Sequence, residues 1–164
     1  MRDTDREVTT LMLVAAGSEI AGPADLNGKR IALGDLTSSE LRLIPTHQLR
    51  QDGFDLATEC EIVDLEAAVR PGWAGRGDFT NTIAALDDGI IDAGTVFEPQ
   101  YRALVERGRI DPAAYRVVWN SRPYSHCGFA ARPGLPEDAA RRFVELLASM
   151  DYSNPDIKEM MDLE

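Results

Sequence analysis

Apolar positions along the chain fall into short runs divided by glycine, proline and polar clusters, and the runs switch between a strand-like and a helix-like period. Residues 7–14 (EVTTLMLV) are an apolar, β-rich run that stops at Gly17 and Ser18, which predicts a strand. Pro23, Ala24, Asp25 and Leu26 read as a single helical turn before Gly28, and residues 29–33 (KRIAL) as a compact buried strand stopped by Gly34 and Asp35. Residues 39–51 place Leu41, Ile44 and Leu49 at helical spacing and close at Gly53; Pro45 inside that span means the helix kinks there or begins only after it. A second short strand is predicted over 59–63. Residues 64–78 hold three glycines, a proline and Trp73, and read as a long loop.

Downstream, residues 79–88 look helical with Gly89 as the stop, and 90–97 (IIDAGTVF) form the next strand. Pro99 suits the first turn of a helix that reaches Arg107. Residues 115–120 (YRVVWN) and 127–131 are two further strands with Pro123 in the polar turn between them. Pro136 opens an amphipathic helix through Met150, with Phe143, Leu146 and Leu147 on one face. Asn154 and Pro155 start a last short helix to Met161. Strands alternating with helices predict an α/β fold: a mostly parallel sheet with helices on both faces.

Composition narrows the function classes. At 164 residues the chain is long enough for one domain with a proper core. A net charge of -11 argues against nucleic acid, whose phosphates are bound by clustered Lys and Arg. No stretch approaches the ~20 consecutive apolar residues that span a bilayer. The opening Met1-Arg2-Asp3-Thr4-Asp5-Arg6-Glu7 is charged and lacks the apolar segment of an export signal. Cys60 and Cys127 lack zinc-ligand spacing and are expected to be small buried residues. No metal ion and no cofactor is called for.

In an open α/β sheet, ligands bind beyond the carboxyl ends of the strands, where loops enter helices. Two places fit. In Gly34-Asp35-Leu36-Thr37-Ser38-Ser39, the hydroxyls of Thr37, Ser38 and Ser39 stand beside free backbone N–H groups at a helix start, which favours an anionic oxygen. The competing reading is that Ser38 or Ser39 only caps its own helix. In Phe97-Glu98-Pro99, Glu98 either reaches a cleft or offsets the charge at its helix start.

Four segments in order resemble the phosphonate-binding proteins of ABC importers. Residues 24–35 (ADLNGKRIALGD) are similar to that family's DLKGKRVAFGDP segment. Thr37-Ser38-Ser39 followed by Leu43-Ile44-Pro45 is similar to its NSTSGYLVP loop, and residues 89–94 (GIIDAG) to its strand entry. Residues 101–121 follow its late helix and RVIWTSPPIP strand. The resemblance runs from about Val8 to Met150. It implies one lobe of a type 2 periplasmic-binding-protein clamshell, which closes on a small-molecule ligand and docks on an ABC permease in the membrane. In that frame residues 1–14 hold a hinge strand, 15–132 form the second lobe, and 133–164 carry helices that return toward a first lobe. The first lobe and its export signal would lie upstream of Met1, and the location would be periplasmic or extracytoplasmic.

The pocket departs from the family more than the scaffold does. Ser38 and Ser39 match the family's hydroxyl loop, but its third position is Glu40, and a carboxylate beside an anion pocket opposes a phosphonate. The family's cleft histidine falls on Asp78 or Phe79, its cleft tyrosine on Val8, and its acidic cleft position on Phe97 with Glu98 adjacent. The expected ligand therefore carries an amine or several hydroxyls, drawn by Asp78, Glu98 and Glu40, with Trp73 or Phe97 stacking on a ring. Two other readings remain open: an enzyme on the same scaffold, for which His126 and Cys127 are the adjacent pair, and an intracellular ligand sensor.

Overall fold

The computed structural model describes residues 6–65, 78–125, 128–151 and 153–162. It divides into two compact units at 126/127. The first carries strands β1 (Thr10–Ala15), β2 (Arg30–Ala32), β3 (Glu61–Val63), β4 (Ala93–Phe97) and β5 (Tyr115–Asn120). Its helices are α1 (Ile44–Gln51), α2 (Leu56–Glu59), α3 (Asp78–Asp87) and α4 (Glu98–Glu106). The second unit holds α5 (Glu137–Ala148) and α6 (Pro155–Asp162).

The five strands make one sheet in the order β3-β2-β4-β1-β5. β2 pairs in parallel with both β3 and β4, whereas β1 is antiparallel to both β4 and β5. Four strands thus point one way, and β1 is inserted between β4 and β5 against them. The expected mostly parallel sheet holds for β3-β2-β4 and is interrupted by β1. A parallel crossover needs a dozen or more residues and usually a helix. Residues 16–29 contain only the 3-10 turn Pro23–Leu26, so the chain leaves β1 and comes back reversed.

Both faces of the central strands are covered, which is why residues 11–14 read as unbroken apolar sequence rather than as an alternating run. Leu11 and Leu13 pack with Val96, Ala85 and Leu86 on the face that α3 and α4 cover. Met12 and Val14 pack with Ile31, Leu26, Leu49 and Leu56 on the other face. Burial of each such side chain stabilises by about 1.5–3 kcal/mol. Gly94 lets α3 approach the sheet: a Cβ there would lie 2.4 Å from Thr82 Cγ2.

Three expected elements change. The strand expected over 90–97 begins only at Ala93; before it, Asp92 meets β2 through its carboxylate, which accepts from the Arg30 backbone N–H at 2.8 Å. The strand expected over 127–131 is not formed at 128–131, where no described strand edge pairs with the chain and Phe129 is 75% exposed. The helix expected over 39–51 is split: Ser39–Leu43 winds as a π-helical turn and α1 follows from Ile44.

Pro45 accounts for that split. It has no N–H to give to the carbonyls four and five residues back, those of Leu41 and Glu40. Two buried threonines supply the donors instead. Thr95 Oγ1 donates to the Leu41 carbonyl at 2.7 Å, and Thr10 Oγ1 donates to the Glu40 carbonyl at 2.8 Å.

Candidate functional site

The carboxyl ends of β2 and β3 and the first turn of α3 surround a cavity of about 470 Å³. Leu33, Ile62 and Leu65 form its apolar part; Asp35, Thr37, Arg42, Asp64 and Asn81 form its polar part. The loop after β2 bends tightly because Gly34 lies against Leu41, where a Cβ would come within 2.5 Å of Leu41 Cβ. Arg42 ties that loop down, its Nε donating to the Gly34 carbonyl at 2.7 Å and to the Asp35 carbonyl at 3.1 Å.

The loop's hydroxyls are largely engaged with its own carboxylates. Thr37 donates to Asp35 Oδ1 from both its hydroxyl and its backbone N–H, each at 2.7 Å. These bonds hold the Asp35 carboxyl below the ordinary aspartate range, so it stays ionised at neutral pH. Ser38 Oγ accepts from the Leu41 N–H at 3.1 Å and so caps the π-turn; the same atom lies 3.4 Å from Glu40 Oε2. Ser39 is exposed. Thr37 lines the cavity, while Ser38 and Ser39 sit on the turn beside it.

Phe97 and Glu98 lie at the carboxyl end of β4, the same sheet edge, but neither lines the cavity. Phe97 occupies the N-cap position of α4. Glu98 forms an ion pair with Arg102 one turn along, and its backbone N–H donates to the Thr9 carbonyl at 3.0 Å. Asp78 opens α3 and Phe79 follows it, but their side chains lie outside the described residues, as do Trp73, His126 and Cys127. Of the seven predicted site residues, the cavity wall thus includes Thr37.

Sequence reasoning did not single out Arg42, Asp64 as a ligand-facing group, or Asn81. Asn81 left a weak signal: it is a polar residue next to Thr82, which is buried on α3. Its Oδ1 is shielded from solvent and has no hydrogen-bond partner among the described residues. Among the described residues no cluster of three or more His, Cys, Asp or Glu is set to hold a metal ion. Cys60 is a half-buried free thiol whose Sγ donates to the Leu26 carbonyl at 3.3 Å. Burial pushes that thiol up to about 11, which suits a packing role and not a nucleophile.

A helix-start loop, a concave site at the carboxyl edge and a sheet with one reversed strand are the setting in which the family match can be read. Residues 1–163 match the family described as "ABC transporter, phosphonate, periplasmic substrate-binding protein". The chain belongs to this family. The family is one of transport binding proteins.

The chain is 27% identical over 130 residues to the phosphate-import protein PhnD of Mycolicibacterium smegmatis, covering 79% of this chain and 39% of that protein. Its fold is similar to PhnD1 of Prochlorococcus marinus in complex with methylphosphonate, with a TM-score of 0.65 and 20% identity, covering 99% of this chain and 60% of the other. It is also similar to XAC2383 of Xanthomonas citri bound to ATP, with a TM-score of 0.72 and 18% identity, covering 94% of this chain and 56% of the other. The chain therefore spans between 39% and 60% of the length of these relatives. No helix among the described residues is long and apolar enough to cross a membrane.

Proposed function

We propose that this chain is the second lobe of an extracytoplasmic solute-binding protein, which delivers a small polar ligand to an ABC permease. The family match over residues 1–163 carries the reading. The cavity at the carboxyl ends of β2 and β3 supports it, because open α/β sheets take ligands at that edge. In this reading residues 1–14 include a hinge strand, and 15–132 form the lobe. Residues 133–164 belong with a first lobe, in keeping with the exposed Phe143, Val144 and Leu146 of α5. The mature protein works in the periplasm.

The ligand differs from a simple alkylphosphonate. Such a ligand would need free hydroxyl and amide donors around its oxygens, yet Thr37 already donates to Asp35 and Ser38 faces Glu40. Asp35 and Glu40 both add negative charge beside the loop, which disfavours a dianion and favours an ammonium or hydroxyl donor. Asn81 lines the cavity, and its Oδ1 is an acceptor in want of a donor. Ser39, Phe97 and Glu98 lie outside the cavity wall and, with Asp78 and Phe79, stand as further proposed ligand contacts.

Titration calorimetry of the full-length protein tests the reading, using inorganic phosphate, methylphosphonate and a panel of aminated and polyhydroxylated compounds. Binding of an aminated or polyhydroxylated compound at least about tenfold tighter than methylphosphonate is expected. Tight binding of methylphosphonate with none of the aminated compounds would overturn the ligand assignment.

A further inference from the structure

Beyond the ends of β1 and β5, two chain segments pair once more. Val8 and Tyr124 form an antiparallel bridge, with Val8 N–H to Tyr124 carbonyl and Tyr124 N–H to Val8 carbonyl both at 3.0 Å. Two residues along, Thr10 is fully buried, and its Oγ1 lies 2.8 Å from the Glu40 carbonyl oxygen and 2.8 Å from Tyr124 Oη. Thr10 has one hydroxyl proton and a carbonyl can only accept, so Thr10 donates to Glu40. Tyr124 must then donate to Thr10. The result is a directed relay from the Tyr124 hydroxyl through Thr10 to the Glu40 carbonyl. Burial pushes the Tyr124 hydroxyl up to about 12, so it keeps the proton it donates.

The far end of the relay lies within the π-turn. Glu40 is two residues from Ser38, and its carbonyl has lost the N–H that any residue but Pro45 would offer five positions on. Thr10, on β1, supplies a donor to that carbonyl instead. The branched Thr10 side chain has a restricted χ1, so the hydroxyl stays where the strand places it.

We infer that Tyr124 and Thr10 are positioning residues that couple the ligand loop at Ser38–Glu40 to the paired segments at Val8 and Tyr124. This rests on the proposed function, in which the loop meets ligand and the paired segments bend when the lobes close. A shift of the π-turn changes the Thr10 contact and moves the Tyr124 hydroxyl; a bend at the bridge acts back on the loop.

The experiment compares wild type with Tyr124→Phe, Thr10→Val and Thr10→Ser. Tyr124→Phe removes only the first link, and Thr10→Ser keeps both. Three quantities are read in the full-length protein: affinity for the tightest member of the ligand panel, ligand-induced compaction by small-angle scattering, and amide exchange over residues 38–46. Tyr124→Phe should weaken affinity by about tenfold and reduce compaction. Exchange over 38–46 should rise about threefold without ligand, with the melting temperature within about 2 °C of wild type. Thr10→Ser should behave as wild type, and Thr10→Val as Tyr124→Phe or worse.

The relay is overturned if Tyr124→Phe binds, compacts and exchanges as wild type does. It is overturned equally if only the melting temperature falls, which marks a structural bond. If wild type binds no member of the panel, the transport reading fails separately, and exchange over 38–46 alone decides the relay.

Discussion

Thr95 is fully buried, and its one polar side-chain atom donates to the Leu41 carbonyl at 2.7 Å. Thr95→Val keeps the shape and removes the donor, leaving a buried carbonyl unmatched. We expect a loss of about 1–3 kcal/mol in urea unfolding at unchanged m-value, and a smaller loss for Thr95→Ser, which keeps the hydroxyl. Asn81 should behave in the opposite sense, because its Oδ1 is already unmatched. Asn81→Leu should raise the stability of the unliganded protein by about 1 kcal/mol while weakening ligand binding. A residue retained only for packing would lose stability instead, and thermal unfolding beside calorimetry separates the two. These two residues differ in what sequence revealed. Asn81 stands out as a polar side chain beside the buried Thr82 of α3. Thr10 and Thr95 merely look like β-branched strand formers, because the carbonyls they serve are thirty and more positions away along the chain.

At the scale of elements, the turn at Ser39–Leu43 depends on Pro45 and the two threonines together. Pro45→Ala restores an N–H at the position from which an ordinary helix would bond Leu41. Thr95→Val should therefore cost less in the Pro45→Ala background than alone, with a coupling of about 0.5–2 kcal/mol in a double-mutant cycle. Strict additivity would show that the proline and the threonine act independently. Elsewhere, β2 and β4 are pinned where they begin by Arg30 and Asp92: the Asp92 carboxylate accepts from the Arg30 backbone N–H at 2.8 Å, from Nε at 3.1 Å and from Nη2 at 2.7 Å. Hydrogen bonds from the Arg30 side chain, foremost, hold the Asp92 carboxyl below the ordinary aspartate range. A carboxyl depressed by folding contributes stability above its unfolded value, about 3.9, and loses it as pH falls through the folded value. Asp92→Asn should thus lower stability at neutral pH and flatten the stability profile below about pH 4; an unchanged acid limb would refute the assignment. Most elements were legible because β2, β4, β5 and the helices other than α2 carry their apolar spacing and stop residues locally. The reversal of β1 was not, since a strand's sequence has no direction. The strand expected over 127–131 failed because apolar content alone does not supply a neighbouring edge.

For the whole molecule, the question is whether the two units are equally able to hold themselves together. The first has a sheet with a packed layer on each face. In the second, α5 buries no residue, and Phe143, Val144 and Leu146 are 44%, 62% and 60% exposed. Its recorded ring contact, Phe129 edge-on to Phe143 at 5.2 Å, is worth only about 0.5–1.5 kcal/mol. The Asp138–Arg142 pair is exposed and adds a few tenths at most. Ordering the backbone costs about 1–2 kcal/mol per residue, and a helix of about a dozen residues is marginal in water. Residues 127–164 should therefore contribute little to the cooperative melting of this chain. At about 0.7 kcal/mol per residue near 60 °C, calorimetry should give about 90 kcal/mol, the value for the first unit, and not the ~115 kcal/mol of the whole chain. Truncation after residue 126 should leave the melting temperature within about 2 °C, whereas a fall of about 5 °C or more would show that the second unit supports the first. In the full-length protein the outcome reverses if a first lobe covers α5: amides at 140–148 that exchange freely in this chain become protected there.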